Sequence, residues 1–256
     1  MGDLLSLNHV SYSYHSLTGE TPALTDISFG VPDGEFLAIV GPSGCGKSTL
    51  LSLIAGLLPP SSGNIQIKGK NLSDQDLHIG YMLQKDHLLD WRTTYRNLAL
   101  GLEIQKKDTP ENLAKIDELL KAYGLAAFRD AKPSSLSGGM RQRAALIRTL
   151  VLNPDLLLLD EPFSALDYQT RITVSDDIWQ IIRKEKKTAI LITHDISEAV
   201  SMSDRVIVLS KRPGTIRAII EIQLSPGNRS PIKARSDPKF KDYFNQIWKE
   251  LTDHEI

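Results

Sequence analysis

The chain has a single cysteine, Cys45, among 256 residues, so no internal disulfide can form and a reducing compartment suits it. It also lacks long apolar runs. The most apolar stretches, 156–159 and 189–192, fall far short of the about 20 residues that a membrane-spanning helix needs. No charge of one sign dominates: 30 Lys and Arg stand against 31 Asp and Glu, for a net charge of -1. That balance provides no electrostatic footprint for a nucleic acid, and none is expected as a partner. The opening MGDLLSLNHVSYSY has no basic region followed by an apolar run and a small-residue cleavage site, so no secretory signal is expected and the cytosol is the expected location. Internal repeats and low-complexity tracts are missing too. What remains, 41% hydrophobic and 24% charged residues, is ordinary globular composition with enough apolar content for a sizeable core.

Short apolar segments at 36–40, 156–160, 189–193 and 205–209 alternate with helical stretches, as a parallel βαβ core requires. Segments at 5–14, 24–31 and 64–68 are joined by turn-rich pieces and predict a smaller antiparallel β layer beside that core. From 105 to 132 the pattern turns helical, with Thr109-Pro110 as cap and first position and Leu113, Ile116, Leu119 and Leu120 on one face before Gly124. This predicts an inserted α-helical subdomain. A last helix is expected after Asp237-Pro238, packing a stripe of Phe240, Tyr243, Phe244, Ile247, Trp248 and Leu251 on the domain. Too little chain follows residue 209 for a second large domain.

Gly41-Pro42-Ser43-Gly44-Cys45-Gly46-Lys47-Ser48 fits G-x-x-x-x-G-K-[ST] between a predicted strand and the apolar stretch 50–58. In that context the loop cradles phosphates with inward N–H groups, Lys47 reaches the β- and γ-phosphates, and Ser48 ligates Mg²⁺. Cys45 has no partner base nearby in sequence and reads as a small loop residue rather than a nucleophile. The strand at 156–160 ends in Asp160-Glu161, at the sheet edge where open α/β folds hold ligands. Asp160 is expected in the Mg²⁺ shell and Glu161 beside the attacking water. His194, ending the strand at 189–192, is expected to donate to the γ-phosphate or hold that water. The remaining histidines, His9, His15, His78, His87 and His254, have no metal-ligand spacing. Ser137-Gly138-Gly139 opens another helical stretch, a second N-terminus suited to an anion.

Together these segments resemble the ABC ATPase family. LSGGMRQR at 136–143 is similar to that family's signature motif, and it lies just upstream of LLLLDEP. The resemblance runs from about residue 5 to about residue 217 and implies one α/β P-loop NTPase domain over 1–256, with a mainly parallel sheet, its helical subdomain at about 85–153 and a terminal helix at about 238–252. It implies that Tyr14 stacks on adenine, that Thr49 joins the ATP-binding loop, and that Gln84 lies near Mg²⁺ and the water. Ser164-Ala165-Leu166-Asp167 is then the D-loop and His194 the switch histidine. Ser137, Gly138, Gly139 and Gln142 would face ATP held by a second subunit, giving a head-to-tail homodimer with two composite sites. MgATP hydrolysis would drive two transmembrane permease subunits, fed by an extracytoplasmic solute-binding protein, with this subunit peripheral on the cytoplasmic face.

The run from Gly80 to Thr93 is similar to the Q-loop region of nitrate, sulfonate and taurine importer ATPases, although Asp90 stands where proline usually precedes Trp91. Leu88, Leu89 and Trp91 are expected on the membrane-facing surface as a docking patch. The short tail argues against the sugar-importer type. ABC proteins of DNA repair or translation would need a coiled-coil insertion or two cassettes, and neither is seen in this sequence. A regulatory protein without turnover is disfavoured by the presence of Glu161 and His194.

Overall fold

A computed structural model of the chain describes residues 2–17, 19–72, 78–225 and 229–252. Two sheets organise it. The smaller, in the order β2 (Gly19–Pro32), β1 (Asp3–Ser16), β4 (Ser62–Ile67), β5 (Lys70–Asn71), is antiparallel. The larger runs β10 (Ile216–Glu221), β9 (Arg205–Leu209), β3 (Phe36–Val40), β8 (Thr188–Ile192), β7 (Leu156–Asp160), β6 (Ile79–Met82), parallel except for the β10–β9 edge. The result is a mainly parallel α/β core with a separate antiparallel layer beside it. It bears out the expected α/β class with its antiparallel layer.

Strand β3 is buried at every position, and the two-residue period divides its side chains between two cores. Leu37 and Ile39 face α1 (Lys47–Ile54) together with Leu158, Ile190 and Ile207, and α1 in turn packs Leu50, Leu51, Leu53 and Ile54 against Leu5, Leu7, Ile65 and Ile67 of the small sheet. Helix α1 therefore lies between the sheets and is held from both sides. On the opposite face Phe36 joins Leu157, Leu159 and Leu191 in packing on α5 (Tyr168–Lys184). Ala38 and Val40 pack with Val206 and Val208 on α6 (Ile196–Met202) and Ile247 of α8 (Phe240–Thr252). The terminal helix packs its stripe on the domain with Ile247 buried and Phe240, Tyr243, Phe244 and Leu251 half-buried, while Trp248 stays 56% exposed and stacks on Phe244 at 6.5 Å.

A third cluster joins α2 (Thr94–Gln105), α3 (Pro110–Ala122) and α4 (Gly138–Leu150) through Leu98, Leu102, Ile116, Leu120, Ala144 and Ile147. Thr109 caps α3 by accepting from Asn112 N, with Pro110 in the first turn, and Gly124 follows with φ 72°. Leu88 corrects the sequence reading: it is 6% exposed and belongs to this helical core. Trp91, three residues on, is 74% exposed. The turn between them is fixed by buried Asn97, which accepts from Leu89 N and donates to the carbonyls of Leu89 and Thr93. One side of the loop is thereby core and the other is surface.

Candidate active site

Register brings the chemistry to one edge of the large sheet. Asp160 pairs with Ile192, Ile39 also pairs with Ile192, and Val40 pairs with Val208, so the segments after β3, β7 and β8 leave side by side at their carboxyl ends. After Val40 the chain curls through Gly41–Gly46 into α1. Gly46 is the helix N-cap at φ 104°, where a Cβ would meet the Leu24 side chain and the Ala23 carbonyl, so both its dihedral and its surroundings demand glycine. Lys47 is buried, and its Nζ donates to the Gly41 carbonyl at 2.7 Å and the Pro42 carbonyl at 3.0 Å. Cys45 is buried, and burial pushes its thiol up against the opposing pull of nearby Lys47. It stays a neutral packing residue.

Ser48 Oγ donates to Asp160 Oδ1 at 3.5 Å, and Tyr81 OH donates to Asp160 Oδ2 at 3.4 Å. Burial first, and then the Asp160 charge, pushes the Tyr81 phenol up to about 12, so it remains a donor at neutral pH. Burial, and then the neighbouring Glu161 charge, raises the Asp160 carboxyl. A serine hydroxyl and a carboxylate facing across this gap are the hard oxygen donors that suit Mg²⁺. Gln84 is exposed on the loop after β6 and donates to Ser164 Oγ at 3.2 Å, and that hydroxyl donates to the Glu161 carbonyl at 3.0 Å. Gln84 is therefore tied to the Glu161 loop, although it does not line the cleft itself.

Glu161 has φ 45°, a left-handed conformation that glutamate rarely adopts and that here falls on a candidate site residue. Its N–H donates to the Ile192 carbonyl at 2.9 Å, and its Oε2 lies 3.1 Å from His194 Nδ1. Both residues line the end of a cleft of about 410 Å³. From there the cleft passes Ser43, Gly44 and residues 46–49 to Tyr14 and Ala23, and Arg212 joins its wall. Tyr14 is 43% exposed, and its hydroxyl is within 2.9 Å of Thr49 Oγ1. Its edge-on neighbour is Tyr12, with ring centroids 5.0 Å apart.

The second anion-ready helix start lies elsewhere. Ser137 caps α4 by accepting from Met140 N, and Ser137 and Gly138 are exposed while Gly139 is buried. Gln142 departs from its expected role, because it is 4% exposed and turned into its own subunit. The reason is helical period: three residues past Gly139, it falls on the face of α4 that packs inward. In the expected D-loop segment, 164–167, Leu166 is buried, Ala165 is exposed, and Asp167 caps α5 by accepting from Thr170 N.

Sequence reasoning missed the groups behind His194. Glu198 is 3% exposed and accepts from Thr193 Oγ1 at 2.6 Å. Burial, against that hydrogen bond, pushes its carboxyl up to about 7. Arg171 donates to the Leu166 carbonyl at 3.0 Å and lies 3.7 Å from Asp195 and 3.9 Å from Glu198, linking the 164–167 segment to the His194 loop. A lone Arg and a lone Glu on separate helices leave no spacing signal in sequence. Arg212 was missed too, because it sits in a loop with no periodicity.

A protein-family model described as ABC transporter matches residues 24–164. The chain is 47% identical over 247 residues to an uncharacterized ABC transporter ATP-binding protein of Bacillus subtilis, covering 96% of this chain and 95% of that one. It is 40% identical over 250 residues to a taurine import ATP-binding protein of Rhizobium johnstonii, covering 95% of each. Among solved structures, a dimeric ATP-binding cassette in a post-hydrolysis state with bound ADP and Pi matches with a TM-score of 0.72 and 30% identity, over 86% of this chain and 99% of that one.

Proposed function

Because this chain belongs to the ABC transporter family and is an ABC ATPase, we propose that it powers an importer of a small solute, in the range of nitrate, sulfonates or taurine, from the cytoplasmic face of the membrane. The taurine import relative supports the importer class, as does the Trp91-Arg92-Thr93 segment after Gln84. Among the described residues no helix is long and apolar enough to cross a membrane. In this reading the transmembrane work falls to partner permease subunits, with a solute-binding protein beyond them, as in the importer class of that relative. Exposed Trp91 is the candidate docking residue on this side, and Leu88 serves as its anchor from within the helical core. We treat 1–256 as one cassette, with the helical part at about 85–153 and the terminal helix at about 238–252.

One observation carries the hydrolytic reading: Glu161, His194 and the phosphate loop line a single cleft. In the mechanism, backbone N–H groups of 43–49 and the Lys47 ammonium bind the phosphates, and the Tyr14 ring receives the adenine face. Ser48, Asp160 and Gln84 would hold Mg²⁺, which supplies charge neutralisation on the β- and γ-phosphates when bound. Glu161 orients a water so that its oxygen forms a bond to the γ-phosphorus in line with the breaking bond to the β–γ bridging oxygen, and accepts the proton. His194, 3.1 Å from Glu161, positions that carboxylate and donates to the γ-phosphate. The dimeric cassette of the solved relative supports a head-to-tail homodimer in which Ser137, Gly138 and Gly139 of one subunit close on the γ-phosphate of the other. Residues 164–167 then lie along the seam between subunits.

The test is phosphate release by Glu161→Gln in the assembled transporter. Turnover is expected to fall by on the order of a thousandfold while MgATP affinity holds. Turnover within a few fold of wild type would remove Glu161 from the role of base.

A further inference from the structure

We infer that Arg212 is a nucleotide-binding residue, contacting the nucleoside half of ATP opposite Tyr14. The inference rests on the ATP site proposed above and adds to it a wall that none of the nucleotide motifs contains.

Three independent observations converge on the segment 209–214. First, Arg212 lines the same cleft as Tyr14, Lys47 and Glu161. Second, its side chain is anchored: Nε donates to the Pro22 carbonyl at 2.9 Å, and among the described residues no hydrogen bond engages its Nη atoms. Third, the segment is hydrogen-bonded to β2 and lies directly against the phosphate loop. Gly214 N donates to the Ala23 carbonyl and Thr25 N donates to the Gly214 carbonyl, each at 2.9 Å. A Cβ on Gly214 would overlap the Cys45 carbonyl oxygen, so only glycine lets the two backbones approach this closely. The loop after β9 is thus fastened to the β2 edge and lies against the cradle, and Arg212 is its side chain at the cleft.

Strand register says which half of the nucleotide it meets. Arg212 is anchored on Pro22, which pairs with Ser13, one step from the Tyr14–Thr21 pair. Tyr14 and Ala23 share that end of the cleft with it, whereas Glu161 and His194 mark the hydrolytic end. A planar guanidinium beside a tyrosine suits a purine face and ribose hydroxyls, to which it offers stacking and paired N–H donors. A lysine at this position would supply charge without the plane.

The experiment measures binding of MgATP and of Mg-tripolyphosphate to the full chain, for wild type, Arg212→Ala, Arg212→Lys and Lys47→Ala, with thermal unfolding of each. Arg212→Ala should weaken MgATP about fivefold, as an exposed cation–π and hydrogen-bonding contact implies. It should leave tripolyphosphate affinity and thermal midpoint unchanged, and Arg212→Lys should restore only part of the loss. Unchanged MgATP affinity in Arg212→Ala, or an equal loss for both ligands, would overturn the assignment. Lys47→Ala should lose both ligands. If it binds both normally while Arg212→Ala behaves as wild type, the phosphate-loop reading itself fails, an outcome distinct from failure of Arg212 alone.

Discussion

The two helix N-termini that offer themselves to an anion are built differently. At α1 the N-cap is Gly46 in a left-handed conformation, with no side-chain cap. Its open N–H groups are surrounded by Lys47, Tyr14, Glu161, His194 and Arg212 on one cleft. At α4 the N-cap Ser137 accepts from Met140 N, and Ser137 and Gly138 lie exposed with no part in that cleft. The first start carries its own walls and the second does not. An unwalled, exposed anion site becomes specific only when another surface closes over it, and in the proposed head-to-tail dimer that occupant is the γ-phosphate presented by a second copy's cleft.

The largest effect expected from breaking this asymmetry falls on the walled site. Lys47→Ala removes a buried ammonium and should cost about 3 kcal/mol of MgATP affinity, roughly a hundredfold, in the isolated subunit. Isothermal titration checks it, and undiminished affinity would remove Lys47 from the cradle.

The helical region supplies a second contrast, at Leu88 and Trp91. Leu88→Ala should destabilise the subunit by about 3 kcal/mol, as truncation of a buried leucine does. Trp91→Ala should alter stability by less than about 0.5 kcal/mol, because its ring packs on little. Copurification with the membrane subunits, measured on Trp91→Ala beside denaturant unfolding, should show weakened assembly. A large stability loss with normal assembly would return Trp91 to the core.

Ser137→Ala gives a smaller change in the isolated chain than Lys47→Ala or Leu88→Ala. Loss of the cap should cost about 1 kcal/mol of stability and leave MgATP binding by the monomer intact. Turnover of the assembled enzyme should nevertheless fall, because the γ-phosphate loses a donor from the opposite subunit. Weakened binding in the monomer would mean that α4 serves the subunit's own cleft.

Much of the architecture was legible because local signals agreed with tertiary placement. The phosphate loop sits between β3 and α1 as its spacing requires, Thr109-Pro110 and Ser137 cap the helices they were expected to start, and β7 and β9 match the apolar runs that announced them. Other elements were hidden for physical reasons. Strand β6 has only four residues with alternating half-burial, and β10 is an antiparallel edge with one buried position. Helix α2 buries Thr94 and Asn97 beside Leu98 and Leu102, so its inward face is not an apolar stripe, since Asn97 is spent on holding the Leu89–Thr93 turn. Leu88 and Arg212 were misread or missed because their burial and contacts are set by partners distant in sequence: the helical core for Leu88 and the Pro22 carbonyl for Arg212. Gln142 was misread against a local signal, the helical period that turns it onto the inner face of α4.

The asymmetry between the two helix starts is tested most directly by sedimentation of the Glu161→Gln subunit at saturating MgATP, against ADP and against the same variant carrying Ser137→Ala. A stable dimer is expected with MgATP, monomers with ADP, and a weakened dimer once Ser137 is removed, because uncleaved ATP bridges the walled site of one copy and the open site of the other. A subunit that stays monomeric with saturating MgATP at high protein concentration would contradict composite sites. A dimer indifferent to both nucleotide and Ser137 would contradict them equally.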